Sequence, residues 1–274
     1  MARDSVGHTM LVATVLCVVC SVLVASAAVG LRGRQEANKQ LEKKKNVLIA
    51  AGLYNAKENS VQEVDTIFTS SIEHVLIDLK TGKPVDPAVV DPQSYDQREA
   101  ARNPKLSVPI NPPNALGGIK RREKYAFVYQ VKNADGSIQQ VVLPVYGKGL
   151  WSTLYGFLAV DADDMTIRGI TFYEEAETPG LGGEVENPRW KALWVGKKLF
   201  DDQGNIKIHV IKGTVLANSP DAQYEIDGLS GATMTSNGVD RLVRYWVGPD
   251  AFGPYLQNLR QEKLRASTGG GSSG

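Results

Sequence analysis

The sequence predicts an α+β protein: one N-terminal transmembrane helix, then a soluble mixed α/β domain with a largely antiparallel sheet. Three observations predict it. Residues 9–31 are a run of 23 without Asp, Glu, Lys, Arg or Pro. After residue 124, short runs rich in Val, Ile, Tyr and Phe follow one another, the first two joined by Asn133-Ala134-Asp135-Gly136, a hairpin signal. The strands and helices do not alternate as βαβα, and neither G-x-G-x-x-G after a strand nor a Walker A motif is present. A Rossmann domain and direct NAD or ATP binding therefore have no support.

The apolar run comes first. At about 1.5 Å per residue it reaches about 34 Å, enough for a hydrocarbon core of about 30 Å. A cleaved signal peptide is the competing reading, since Ala25-Ser26-Ala27 resembles a cleavage site, but the run is long for that and continues past it. Cys17 and Cys20 are the only cysteines and both fall inside the run, so the rest has neither disulfide nor thiolate metal site. Arg32, Arg34, Lys39 and Lys43 follow the run, and the positive-inside rule would leave the large domain cytoplasmic.

Residues 37–54 read as a helix leaving the membrane, and Val61, Val64, Ile67 and Phe68 share one face of another. Residues 74–79 alternate toward a strand ending at Thr81-Gly82. Residues 83–119 hold seven of the thirteen prolines and read as an irregular insertion with one short helix at 97–102. Strands are expected at 125–131, 138–145, 154–160, 167–173, 207–211 and 223–226, and helices at 188–199, 236–246 and 249–266. The expected organisation is an anchor at 1–35, membrane-proximal helices with the Pro-rich insertion at 36–124, a domain at 125–248, a C-terminal helix, and a tail of flexible-linker composition at 267–274.

The 31 basic and 30 acidic residues leave a net charge of +1, which points to no nucleic-acid partner. His8, His74 and His209 stand singly, without metal-ligand spacing. The chemistry concentrates in Asp227-Gly228-Leu229-Ser230-Gly231-Ala232-Thr233-Met234-Thr235-Ser236, between an expected strand and an expected helix. Gly228 and Gly231 allow tight turns, and small Ala232 leaves room beside the chain. Backbone N–H groups at a helix start would hold a phosphate without lysine, with the hydroxyls of Ser230, Thr233, Thr235 and Ser236 close by. The plain alternative is a glycine turn with Ser or Thr capping a helix.

This segment resembles the flavinylation motif D-G-x-[ST]-G-A-T, in which a flavin transferase esterifies FMN phosphate to the last threonine, here Thr233. Glu177-Thr178-Pro179-Gly180-Leu181-Gly182 resembles the E-T-P-G-L-G loop of FMN-binding domains. Gly147-Lys148-Gly149-Leu150-Trp151 is similar to their glycine turn and flavin-side aromatic. Together they resemble the C-subunit family of sodium-translocating NADH:quinone oxidoreductases. The G-subunit family of Rnf-type ferredoxin:NAD oxidoreductases is its neighbour; Gly149-Leu150-Trp151 and Glu186-Asn187-Pro188 favour the former. Glu175 stands where many members carry histidine.

The resemblance implies covalent FMN on Thr233 Oγ1, with Ser230, Gly231 and Ala232 contacting the phosphate. Asp227 would orient the hydroxyl or a Mg²⁺ during transfer; a turn-forming Asp is the simpler role. Glu177 and Thr178 would bond the ring or ribityl chain within the Gly180-Leu181-Gly182 loop. Leu181 and Trp151 would touch the isoalloxazine, and Lys212 would balance its reduced charge. Trp151 otherwise reads as a core aromatic and Lys212 as a solvated one. The implied partners are the other subunits of the complex, the flavin transferase and membrane lipid. The implied place is the bacterial inner membrane with the flavin domain periplasmic, against the charge count. Such a chain relays electrons and has no turnover alone.

Overall fold

The structure, a computed structural model, describes residues 5–55, 57–113 and 115–269. The chain divides into two compact units, Met1–Lys43 and Lys44–Gly274. The first is helical from Val6 onward, and its apolar residues from Met10 to Leu31 are exposed. By length and composition this helix can cross a membrane.

Helix α1, Val6–Ala50, joins the apolar run and the helix expected to leave the membrane without a break between residues 31 and 37. That stretch contains no proline, and a lone Gly33 costs a helix only about 1 kcal/mol, too little to end it. The end comes instead at Gly52, whose φ of +71 suits glycine. Leu53 N–H bonds to Leu48 O (2.8 Å) and Gly52 N–H to Ile49 O (3.0 Å), a Schellman closure.

In the second unit, α2 (Glu63–Ser71) leads into β1 (Ile72–Asp78) and β2 (Lys83–Pro84). Helix α3, Gln97–Arg102, stands within the Pro-rich stretch, capped by Asp96, which accepts from Glu99 N–H at 2.8 Å. That stretch is less irregular than expected: β3 (Ser107–Pro109) pairs with β4 (Arg121–Glu123). Then come β5 (Tyr125–Lys132), β6 (Ile138–Lys148), β7 (Thr153–Asp161) and β8 (Ile167–Glu174). The main sheet has six strands in the order β2-β1-β5-β6-β7-β8, with every neighbouring pair antiparallel.

Both faces of this sheet are covered, which explains why β5 and β6 read as nearly continuous apolar runs. On one face Ala126, Val128, Leu143, Val145 and Leu158 join the main core with α5 (Thr233–Trp246) and α6 (Gly253–Gly269). On the other, Phe127, Tyr129, Val142 and Phe157 are buried under the end of α1 and under α2. Gln140 Nε2 donates to Ala51 O (2.9 Å) and Thr171 Oγ1 to Asn46 O (3.3 Å), fixing α1's last turns to the sheet.

Two further expectations change. The helix expected at 188–199 stops early: α4 is Pro188–Ala192, preceded by a 3₁₀ turn at Gly182–Glu186. After it the bonds tighten to i→i+3 steps, and Gly196 turns the chain so that Ile167 N–H reaches Lys197 O (2.8 Å) beside β8. The strands expected at 207–211 and 223–226 shrink to β9 (His209–Val210) and β10 (Glu225–Ile226), a parallel pair outside the main sheet. Residues 267–269 continue α6, and 270–274 lie outside the described residues.

Candidate functional site

Three chain segments meet at the start of α5. The first is the turn from β10 into the helix. Gly231 sits at φ +72, a conformation costly for any residue with a Cβ. Ser236, buried in the helix's first turn, accepts Leu229 N–H on its Oγ at 2.8 Å and fastens the turn from behind. Helix α5 therefore starts at Thr233, three residues earlier than the sequence pattern suggests. Its N-cap is Ala232, which supplies no side-chain cap. The N–H groups of Thr233, Met234 and Thr235 have no acceptor among the described residues.

The four hydroxyls of the motif separate into two pairs. Thr235 is 1% exposed and donates to Glu177 Oε2 at 2.8 Å, and Ser236 is committed to Leu229. Thr233 and Ser230 are exposed beside the uncapped N–H groups. Of the two threonines, only Thr233 can offer its Oγ1 to a group outside the protein.

The second and third segments are the turn at 149–152 and the loop at 177–183, joined by Glu177. Its carboxylate, in a residue 6% exposed, accepts five hydrogen bonds. Oε1 takes Trp151 N–H (3.0 Å), Ser152 N–H (2.8 Å) and Ser152 Oγ (2.8 Å). Oε2 takes Leu150 N–H (3.1 Å) and Thr235 Oγ1. Burial alone would raise its pKa, but the bonds from Ser152, Thr235 and Leu150 outweigh it, and the carboxyl titrates below its usual range. The packing leaves no slack: a Cβ on Gly182 would stand 2.6 Å from Thr235 Oγ1 and 2.9 Å from Glu177 Cβ. Glu177 is thus occupied as a clamp that holds two loops to the first turn of α5.

Around this clamp the surface is apolar. Trp151 is 71% and Met234 55% exposed, and Leu150 and Leu181 are exposed as well. Trp151 is therefore no core aromatic. Leu181 lies over the turn, its Cδ2 2.9 Å from where a Cβ on Gly231 would be. Thr178 and Gly180 are exposed on the same loop, and Thr178 O accepts Leu181 N–H (3.1 Å) and Gly183 N–H (3.0 Å).

Asp227 and Lys212 belong to the adjoining edge. Asp227 Oδ1 accepts Val215 N–H (2.9 Å), and its carbonyl accepts Trp190 Nε1–H (2.8 Å). Gly228 N–H bonds to Gly213 O at 2.9 Å, which sets exposed Lys212 beside the start of the motif. Glu175 accepts Glu177 N–H on its Oε2. Ser152 went unremarked in the sequence, although its hydroxyl donates to Glu177 and accepts Ala176 N–H (3.0 Å). A small hydroxyl residue after Gly-Leu-Trp was the available signal.

The arrangement fits FMN by its own chemistry. Uncapped N–H groups suit a phosphate, an exposed threonine hydroxyl suits an ester, and the apolar surface suits a flat aromatic ring.

Comparison with known proteins agrees. Residues 149–248 match the FMN-binding domain family. The chain is 45% identical over 263 residues to the C-subunit of the Na(+)-translocating NADH-quinone reductase of Yersinia pestis, covering 96% of each chain. It is 48% identical over 259 residues to that of Pseudomonas aeruginosa, covering 94% of this chain and 98% of the other. Among solved structures, Shewanella oneidensis NqrC superposes with a TM-score of 0.73 at 38% identity, over 82% of this chain and 99% of that one. The C-subunit from Parabacteroides distasonis gives 0.62 at 28% identity, over 82% and 96%. With a domain built for FMN and relatives matched over nearly their whole length, the chain belongs to the NqrC family, the C-subunits of the Na⁺-translocating NADH-quinone reductase.

Proposed function

We propose that this chain is the electron-carrying subunit of a sodium-pumping respiratory NADH:quinone oxidoreductase, with FMN joined to Thr233 Oγ1 by a phosphoester bond. FMN, when bound, supplies the redox chemistry; the chain supplies position and electrostatics. The observation that carries the reading is the contrast between the two nearby threonines. Thr233 is exposed beside unpaired N–H groups, whereas Thr235 is buried and spent on Glu177.

Each residue has a defined task. Thr233 presents the hydroxyl, and Ser230, Gly231 and Ala232 line the phosphate side, with Lys212 and Asp227 at its edge. Leu181 and Trp151 offer apolar contact to the ring, and Thr178, Gly180 and Gly182 shape the loop that carries Leu181. Glu177 acts through these loops. A separate flavin transferase would make the ester, and other subunits would donate and accept the electrons. The apolar part of α1 anchors the chain in lipid of a bacterial inner membrane with the flavin domain on the periplasmic side, and residues 125–248 serve as the flavin domain.

Intact-mass spectrometry of the chain from a transferase-containing host tests the ester. An adduct of FMN mass is expected in the wild type and in Lys212→Met, and none in Thr233→Ala. A wild-type chain at its unmodified mass, or an adduct surviving Thr233→Ala, refutes it.

A further inference from the structure

Among the described residues, two cations near this site have no side-chain partner. A Cβ placed on Gly117 would lie 3.6 Å from Arg241 NH2 and 2.8 Å from Lys148 Cβ, so the Arg241 guanidinium and the root of the Lys148 side chain both lie against that loop. Arg241 Nε is buried without a hydrogen-bond partner, and neither side chain makes an ion pair among the described residues. Nearby carboxylates are taken. Asp240 Oδ1 bonds His209 Nδ1 (2.8 Å) and Val210 N–H (2.8 Å), and Glu177 is filled by the clamp. A part-buried guanidinium without an acceptor carries a desolvation cost that an anion would relieve.

The position says which anion. Arg241 stands seven residues after Met234 on α5, so the two share one stripe of the helix about 10 Å apart. Lys148 runs directly into Gly149-Leu150-Trp151, whose Leu150 and Trp151 N–H groups bond Glu177. Exposed Met234, Leu150 and Trp151 thus belong to the two segments that connect the start of α5 to the cation pair.

We propose that Lys148 and Arg241 hold the anionic pyrimidine edge of the reduced flavin and thereby raise its reduction potential, a reading that rests on FMN attached at Thr233. A ring tethered there would lie on the apolar surface, with its carbonyl edge within reach of the segments that carry the two cations. Two electrons and one proton leave the reduced ring with one net negative charge, whereas the oxidised ring is neutral. Cations at that edge therefore favour the reduced form selectively.

The test is a dye-mediated dithionite titration of the flavinylated full-length chain in detergent, each sample first weighed for its adduct. Arg241→Met and Lys148→Met are each expected to weaken the preference for the reduced form about tenfold, about 30 mV lower for a two-electron couple. Arg241→Lys retains most of the wild-type potential, and Lys80→Met, in the exposed turn between β1 and β2, leaves it unchanged. Because Arg241 has no partner to lose, Arg241→Met keeps the fold, and Lys148→Met gives an independent second reading. Adduct-bearing Arg241→Met and Lys148→Met at the wild-type potential would overturn the inference, as would a shift in Lys80→Met alone. A wild-type chain without adduct removes the attachment reading as well; an intact adduct with no shift removes only this one.

Discussion

Replacing Glu177 by glutamine isolates the clamp that assembles the site. The side chain keeps its shape but loses its charge and half of its accepting capacity. With its remaining oxygen at the Oε1 position, the introduced amide still receives Trp151 and Ser152. Its NH₂ group then faces Leu150 N–H, which is left without an acceptor, while Thr235 Oγ1 turns to accept. Hydrogen bonds to a charged group are worth about 1.5–3 kcal/mol and an orphaned buried donor costs about 1–3 kcal/mol. Allowing for relaxation of the exposed 149–152 turn, the loss is about 2–4 kcal/mol. Urea unfolding of the full-length chain in detergent, wild type against Glu177→Gln, measures it. The pH dependence adds a second check. The folded-state pKa lies below the ordinary value of 4.5, so the stabilisation is complete above that value and lost as pH falls through the folded one. The gap between wild type and variant should therefore narrow below about pH 4.5. A difference under about 0.5 kcal/mol at neutral pH, or a gap that widens on acidification, would refute the clamp.

Two other perturbations follow from the same packing. Gly182→Ala pushes a methyl against Thr235 Oγ1 and Glu177 Cβ and should cost about 1–3 kcal/mol in thermal or urea unfolding; a neutral result would mean that the junction can open. Glu123 is fully buried, and burial raises its pKa despite bonds from Tyr146 Oη (2.7 Å) and Gln97. Its neutral form is the one the fold favours, so the wild type should lose stability as pH rises from the unfolded carboxylate range toward the folded value, and Glu123→Gln should flatten that slope. Matching slopes in a pH series of urea midpoints would show that Glu123 stays ionised.

What the sequence revealed, and what it hid, follow from the range of the forces involved. The anchor, the 125–173 strands and α3 rest on local pattern, and pattern placed them. The shortened α4 did not, because Pro188 and Asn187 announce a helix start while its end depends on pairing beside β8. The same holds for the site. Its glycines and exposed hydroxyls are written in consecutive residues. The inward turn of Thr235, by contrast, depends on Glu177, 58 positions earlier in the chain, and no local rule connects them. Glu177 read as a ligand because it stood in a recognisable loop; in three dimensions its acceptors are all used within the protein.

That division of labour bears on the attachment chemistry. A carrier that exchanges electrons with several partners holds its cofactor in more than one charge state, and non-covalent affinity shifts between them by the same free energy that sets the potential. The ester proposed at Thr233 would remove that constraint, leaving the surrounding residues to tune potential without risking release. The geometry is arranged accordingly. Around Glu177 the carboxylate is saturated and a methyl group does not fit, whereas around Thr233 the N–H groups are unmatched and the apolar side chains exposed. Rigidity lies in the walls and unspent bonding capacity at Thr233, which is what a site needs if it is to be completed by another enzyme after folding.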